Sequence, residues 1–143
     1  KRAAWKLSSY VPELRTTLGD ALLAVHRPYA KALFPSIDAG LVRGLAHITG
    51  GGFTENIPRI LPENCVAAIE RKAWSVPPLF RLIQDIGRVD EGEMFRTFNM
   101  GIGIVVAVAP RDASKFEARL RRARERFFVV GEIVKGRRGV VYV

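Results

Sequence analysis

A mixed α/β domain is the fold class this sequence predicts, on three observations. Residues 41–49 read as a strand whose period of two puts Arg43, His47 and Thr49 on one face and Val42, Ala46 and Ile48 on the other. Residues 102–109 form an apolar run of a strand's length, and Ala113, Phe116, Leu120, Ala123 and Phe127 recur at the three- and four-residue intervals of a helix. Strand and helix signals alternate along the chain, which is the order of an α/β domain. At 143 residues the chain has the size of one ordinary domain, and residues 1–143 are read as a single unit.

Each element follows from local chemistry. Residues 17–25 read as a short helix with Leu18, Leu22 and Val25 on one face, broken by His26-Arg27-Pro28. Residues 29–34 read as a second, stopped by Pro35. The strand over 41–49 places Arg43, Leu45, His47 and Thr49 on one face, with Val42, Gly44, Ala46 and Ile48 on the other. Gly50-Gly51-Gly52 follow, and then a helix starting at Thr54 or at an Asn56 N-cap, since Pro58 is harmless only in a first turn. Pro62 ends it, and 66–74 suggests an extended stretch. Pro78 opens a helix through Phe80 and Ile83 toward Gly87, and Asp90 with Glu93 forms a capping box for a helix over 91–98. The turn Asn99-Met100-Gly101 leads into the central strand 102–109. Asp112 can cap the next helix, 127–134 reads as a strand, and a glycine-containing turn returns the chain into a strand over 140–143.

Composition narrows the function. The chain is 48% hydrophobic and 26% charged, and no apolar run approaches the ~18 residues of a membrane span. Cys65 is the only cysteine, which excludes an intramolecular disulfide and a thiolate metal cluster and suits a reducing cytoplasm; no signal peptide is recognisable. The net charge of +9 makes anions the first candidate partners. Nucleic acid is disfavoured, because Arg119, Arg121, Arg122, Arg124 and Arg126 crowd one helical segment without interleaved aromatics for stacking. A solvated helix face accounts for them.

The residues with the most chemistry lie in the run Ala46-His47-Ile48-Thr49-Gly50-Gly51-Gly52-Phe53-Thr54-Glu55-Asn56-Ile57-Pro58-Arg59. Three consecutive glycines let backbone N–H groups approach an anion closely, and the bland alternative is a sharp strand-to-helix turn. Thr49 adds a hydroxyl. Arg59 adds a planar fork of donors for phosphate or carboxylate, unless it pairs with Glu55 four residues earlier. Asn56 serves as helix cap or as a ligand-binding amide. His47 is the catalytic candidate, since imidazole suits proton transfer near neutral pH, although ligand contact ranks above proton transfer. His26 is read as structural. A zinc site, a serine nucleophile elbow and a Walker loop all lack their residues, and no metal site is expected.

The two runs AHITGGGFTENIPRILP and MFRTFNMGIGIVVAV, in order and covering with their surroundings nearly the whole chain, resemble the C-terminal half of the phosphoribosylformylglycinamidine cyclo-ligase family, also called aminoimidazole ribonucleotide synthetase. The resemblance implies a three-layer domain with a mixed β-sheet between helices, partly ferredoxin-like. It implies an enzyme of purine biosynthesis that uses ATP and Mg²⁺ to close formylglycinamidine ribonucleotide to aminoimidazole ribonucleotide. In that family an N-terminal ATP-binding domain holds most of the nucleotide and its metal, and the usual assembly is a homodimer in the cytoplasm. No counterpart of that half is present in this sequence. The family match adds Asn99 to His47, Thr49, Gly50, Gly51, Gly52, Asn56 and Arg59 as a site candidate. The competing expectation is a stand-alone anion-binding or regulatory module of the same fold without catalysis.

Overall fold

The structure, a computed structural model, describes residues 5–143. Two short strands, β1 (Tyr10–Val11) and β2 (Thr16–Thr17), pair antiparallel ahead of helix α1 (Leu18–Leu22). Thr17 caps α1 by accepting the Asp20 N–H at 3.1 Å. The apolar stripe expected on this segment has nothing to cover it: α1 buries no residue, and Val25 is 93% exposed.

Helix α2 (Ala30–Asp38) passes through Pro35 rather than stopping there. The bond that the proline N–H would make inside the helix is missing, but tertiary contacts hold the segment in place. Leu33 and Ser36 are buried against the neighbouring layer, and the Arg119 guanidinium donates to the Pro35 carbonyl.

Strand β3 (Val42–His47) pairs antiparallel with β5 (Ile104–Val108), with a bulge between Val42 and Gly44. Beyond the bulge the alternation is the one expected: Ala46 and Ile48 are buried, His47 and Thr49 exposed. The extra residue reverses Val42, which therefore joins Leu45 in packing against α2 and helix α6 (Pro110–Arg122). The opposite face of the ribbon packs on helix α3 (Gly52–Asn56), helix α5 (Glu91–Thr97) and strand β4 (Cys65–Ile69). Helix α4 (Pro78–Gly87) runs before α5, which Asp90 caps by accepting the Gly92 and Glu93 N–H groups.

The last two strands, β6 (Gly131–Lys135) and β7 (Gly139–Tyr142), do not form a hairpin with each other. They flank β4, β6 antiparallel and β7 parallel, giving a three-stranded mixed sheet of order β6-β4-β7. Residues 127–130 stay outside it, although the Val130 carbonyl accepts the Glu70 N–H at 2.9 Å. The extended stretch expected to reach Trp74 ends at Ile69. Pro110, not Asp112, begins α6, which suits a residue with no N–H to leave unpaired. The whole is α+β: helices on small sheets of two, two and three strands.

Two hydrophobic clusters divide the interior. One, built on Ile48, Phe53, Ile57, Trp74, Met94 and Phe95, lies beneath the end of β3. The other, built on Leu33, Leu41, Phe116 and Leu120, lies between α2, α6 and the bulged end of β3. β5, expected as a buried central strand, is half-buried along its length, because only one edge is paired; its far side opens into a cleft of about 590 Å³ reaching β6. Among the described residues no helix is long and apolar enough to cross a membrane.

Candidate functional site

The glycine run turns β3 into α3, and its three members are glycine for different reasons. Gly51 has φ +90° and Gly52 φ +52°, both in the left-handed region that side chains disfavour. Gly52 also lies so close to the end of α5 that a Cβ would collide with the Phe95 carbonyl and come within 2.9 Å of that of Phe98. The Glu55 side chain folds back over Gly51. Gly50 meets none of these demands: a Cβ there would find nothing within 4 Å. The folded chain therefore accounts for Gly51 and Gly52, and leaves Gly50 with open space in front of it.

The loop's backbone is partly committed. The Gly52 N–H donates to the Thr49 carbonyl at 3.0 Å, and Glu55 N–H to the Gly51 carbonyl at 3.0 Å. Among the described residues the N–H groups of Gly50 and Gly51 have no backbone acceptor. Asn56 stands at the N-cap position of the 3₁₀ turn Ile57–Ile60, as one of the two expected starts placed it, but its side chain makes no capping bond there and is buried. Helix α3 begins at Gly52, ahead of both starts expected from sequence, and Asn56 ends it, 4% exposed. Its Nδ2 donates to the carbonyls of Gly50 at 3.2 Å and Gly52 at 2.8 Å, fixing the loop from below. The chain then tightens into a 3₁₀ turn, Ile57–Ile60, which receives Pro58 in its first turn.

Beneath the loop, Phe53, Trp74 and Phe95 form an aromatic group with ring centroids 5.4–6.4 Å apart. The Trp74 Nε1–H donates to the Met100 carbonyl at 2.9 Å, so its polar atom is satisfied inside the core. Thr54 Oγ1 and Tyr142 Oη lie 3.1 Å apart and tie α3 to β7. Burial pushes the Tyr142 phenol up, opposed by that hydrogen bond and by the Arg71 charge.

The remaining candidates are distributed around this base. His47 and Thr49 are exposed at the end of β3, on the face the alternation predicts. Arg59 is exposed on the 3₁₀ turn and makes no ion pair among the described residues; the alternative pairing with Glu55 is not formed. Asn99 is engaged locally, its Oδ1 accepting the Gly101 N–H at 2.9 Å, a turn that leads into β5. His26, read from sequence as structural, is brought to His47: the two Nε2 atoms are 3.1 Å apart. A separation of twenty-one residues carries no local signal, so only the fold shows this pair.

Among the described residues no group of three or more His, Cys, Asp or Glu side chains gathers as a metal site. The residues present therefore do not fit Mg²⁺ by themselves; what they carry is backbone N–H groups without a backbone acceptor, a hydroxyl, an imidazole and a guanidinium. Of the arginines crowded between Arg119 and Arg126, Arg121 pairs with Glu117 at 2.8 Å and stacks on Phe127, and Arg126, beyond the end of α6, stacks on Phe128.

This α+β arrangement has a counterpart among solved structures. Over 94% of its length the chain superposes on 44% of the E. coli hydrogenase maturation protein HypE, with a TM-score of 0.60 and 20% identity, a likeness of fold. Residues 3–143 match the family of AIR synthase related proteins, C-terminal domain, and the chain belongs to that family. Its relatives include the phosphoribosylformylglycinamidine cyclo-ligase of Desulfitobacterium hafniense, 52% identical over 92% of this chain and 39% of the relative. The chloroplastic cyclo-ligase of Arabidopsis thaliana is 46% identical over 99% of this chain and 36% of the relative. That of Thermoanaerobacter sp. is 44% identical over 96% and 40%. The chain thus spans about 40% of the length of the relatives it matches.

Proposed function

We propose that this chain, a single domain over residues 1–143, works as the C-terminal half of a phosphoribosylformylglycinamidine cyclo-ligase of purine biosynthesis, acting in the cytoplasm. The observation that carries this reading is 44–52% identity to proteins of that name, running through the glycine loop and into β5. The reaction consumes ATP, with Mg²⁺, to activate the formyl oxygen of formylglycinamidine ribonucleotide, and the amidine nitrogen then closes the ring as phosphate leaves. The described residues offer no carboxylate cluster for the metal, so we assign nucleotide and metal to an N-terminal ATP-binding domain, within a homodimer.

This chain's share is to hold an anionic ligand. The N–H groups of Gly50 and Gly51 have no backbone acceptor, Gly50 faces open space, and exposed Thr49 and Arg59 would add a hydroxyl and a charged fork. Asn56 keeps the loop in shape, and Asn99 shapes the turn before β5. His47 contacts the substrate or its phosphate. Fixed donors of this kind act chiefly by positioning and by stabilising charge.

Reconstitution with the ATP-binding half of a cyclo-ligase, assayed for ATP-dependent ring closure, tests the reading. Arg59→Ala should raise KM more than it lowers kcat, because a phosphate clamp binds ground and transition states alike. His47→Asn should keep most of kcat if the ring only contacts ligand, and lose at least ~10²-fold if it transfers a proton. A reconstituted complex that binds phosphate but forms no product would favour the non-catalytic module instead.

A further inference from the structure

We propose that His26 is a positioning residue for His47, holding its imidazole in the tautomer that carries the proton on Nδ1. The inference rests on reading His47 as a ligand contact and adds the residue that makes such contact specific. The two Nε2 atoms are 3.1 Å apart, with ring centroids at 4.9 Å and planes at 60°. Two neutral imidazoles bond through their Nε2 atoms only if one donates and the other accepts, so the rings must be opposite tautomers. This bond occupies His47 Nε2 and leaves Nδ1 as the ring nitrogen for a ligand. A phosphate oxygen accepts hydrogen bonds, so Nδ1 must carry the proton and His26 must donate from Nε2.

The fold builds a seat for His26. A Cβ on Gly103 would fall against Tyr29 Oη and only 2.8 Å from His26 Cε1, so the absent side chain of Gly103 is the space these two rings occupy. Gly103 is itself fixed to the site strand, its carbonyl accepting the Ile48 N–H at 2.9 Å. The Tyr29 ring meets His26 edge-on at 5.5 Å, and burial, acting against the Arg27 charge, pushes the Tyr29 phenol up and keeps it neutral. Arg27, the nearest cation in sequence, is paired with Glu125 at 2.7 Å and does not compete for the ring. The glycine of the Met100-Gly101-Ile102-Gly103 motif thus has a steric reason that links β5, residues 26–29 and β3.

The tautomers can be read directly on the whole chain by ¹⁵N correlation spectroscopy of the imidazoles at about pH 9, above the ordinary imidazole range. The expected result is Nδ1–H on His47 and Nε2–H on His26. A proton on His47 Nε2 overturns the proposal. His26→Ala should release His47 from that tautomer and weaken binding of inorganic phosphate by ~5-fold, the effect of one lost hydrogen bond. His26→Gln, whose amide can still donate, should preserve both. Gly103→Ala should erase the tautomer signature with both histidines present; if that variant does not fold, the wild-type tautomers still decide. If His47→Ala leaves phosphate affinity unchanged while the wild-type tautomers are as expected, it is the ligand-contact reading that falls, and the loss of affinity expected for His26→Ala falls with it.

Discussion

The two hydrophobic clusters on either side of the β3–β5 ribbon differ in depth, and the deeper one lies under the glycine loop. Ile48, Phe53 and Met94 are wholly hidden there, and Trp74 satisfies its indole N–H inside the packing. In the other cluster no residue is wholly hidden: Phe116 and Leu120 border the cleft beside β5, which also reaches Ile57 and Trp74 of the first, and nearby Phe34 is 60% exposed. A donor set of the kind proposed for the glycine loop is useful only if it keeps its geometry without reorganising, and rigid packing beneath the loop suits that proposal.

The largest test of this contrast is truncation of one aromatic from each side. Phe53→Ala should cost ~3–5 kcal/mol, the range for a buried phenylalanine whose surroundings cannot close the hole. Phe116→Ala, facing a cleft into which neighbours can relax, should cost less than half of that. Urea unfolding of both variants measures the difference, and equal losses would break the distinction between the clusters. Next comes Gly52→Ala, which combines a left-handed backbone with a collision against the Phe95 carbonyl; at least ~2 kcal/mol is expected. Asn56→Ala follows. It leaves the Gly50 and Gly52 carbonyls without their donor in a buried site and should cost ~1–3 kcal/mol, with faster amide exchange confined to the loop.

Much of this division was legible in the residues themselves. The period of two around His47 and Thr49 assigned their exposed face, and the glycines marked the turn, because both signals are local. What stayed hidden was tertiary. Pro35 reads as a helix stop, yet α2 continues through it because the packing of Leu33 and Ser36 outweighs one missing hydrogen bond. The last two strands were legible as strand, turn and returning strand, but not that β4 takes both as partners, because pairing along a sheet depends on strands distant in sequence. Asn56 does precede a helical turn, Ile57–Ile60, but α3 starts ahead of it at Gly52, and its amide bonds back to the loop carbonyls instead of capping. The partner of His47 had no local trace at all. The bulge at Arg43, which reversed Val42 but left His47 in place, shows why the site end of β3 could be read and the other end could not.

The smallest expected effect on stability is the sharpest test of function. Gly50 has neither a left-handed φ nor a neighbour within 4 Å of a Cβ, so nothing in the folded chain requires a glycine there. Gly50→Ala should therefore leave stability unchanged or raise it by up to ~1 kcal/mol, since alanine narrows the unfolded ensemble. If the open space is where an anion approaches the Gly50 and Gly51 N–H groups, the same methyl group should obstruct it. Titration with inorganic phosphate, monitored at the loop amides, should then show weaker binding in a protein that melts no earlier than the wild type. Gly52→Ala cannot separate these effects, because its damage to the fold alters binding whatever the loop does. A Gly50→Ala variant with wild-type stability and wild-type phosphate affinity would leave the loop as a turn between β3 and α3, and would move the search for the ligand to Arg59 and His47.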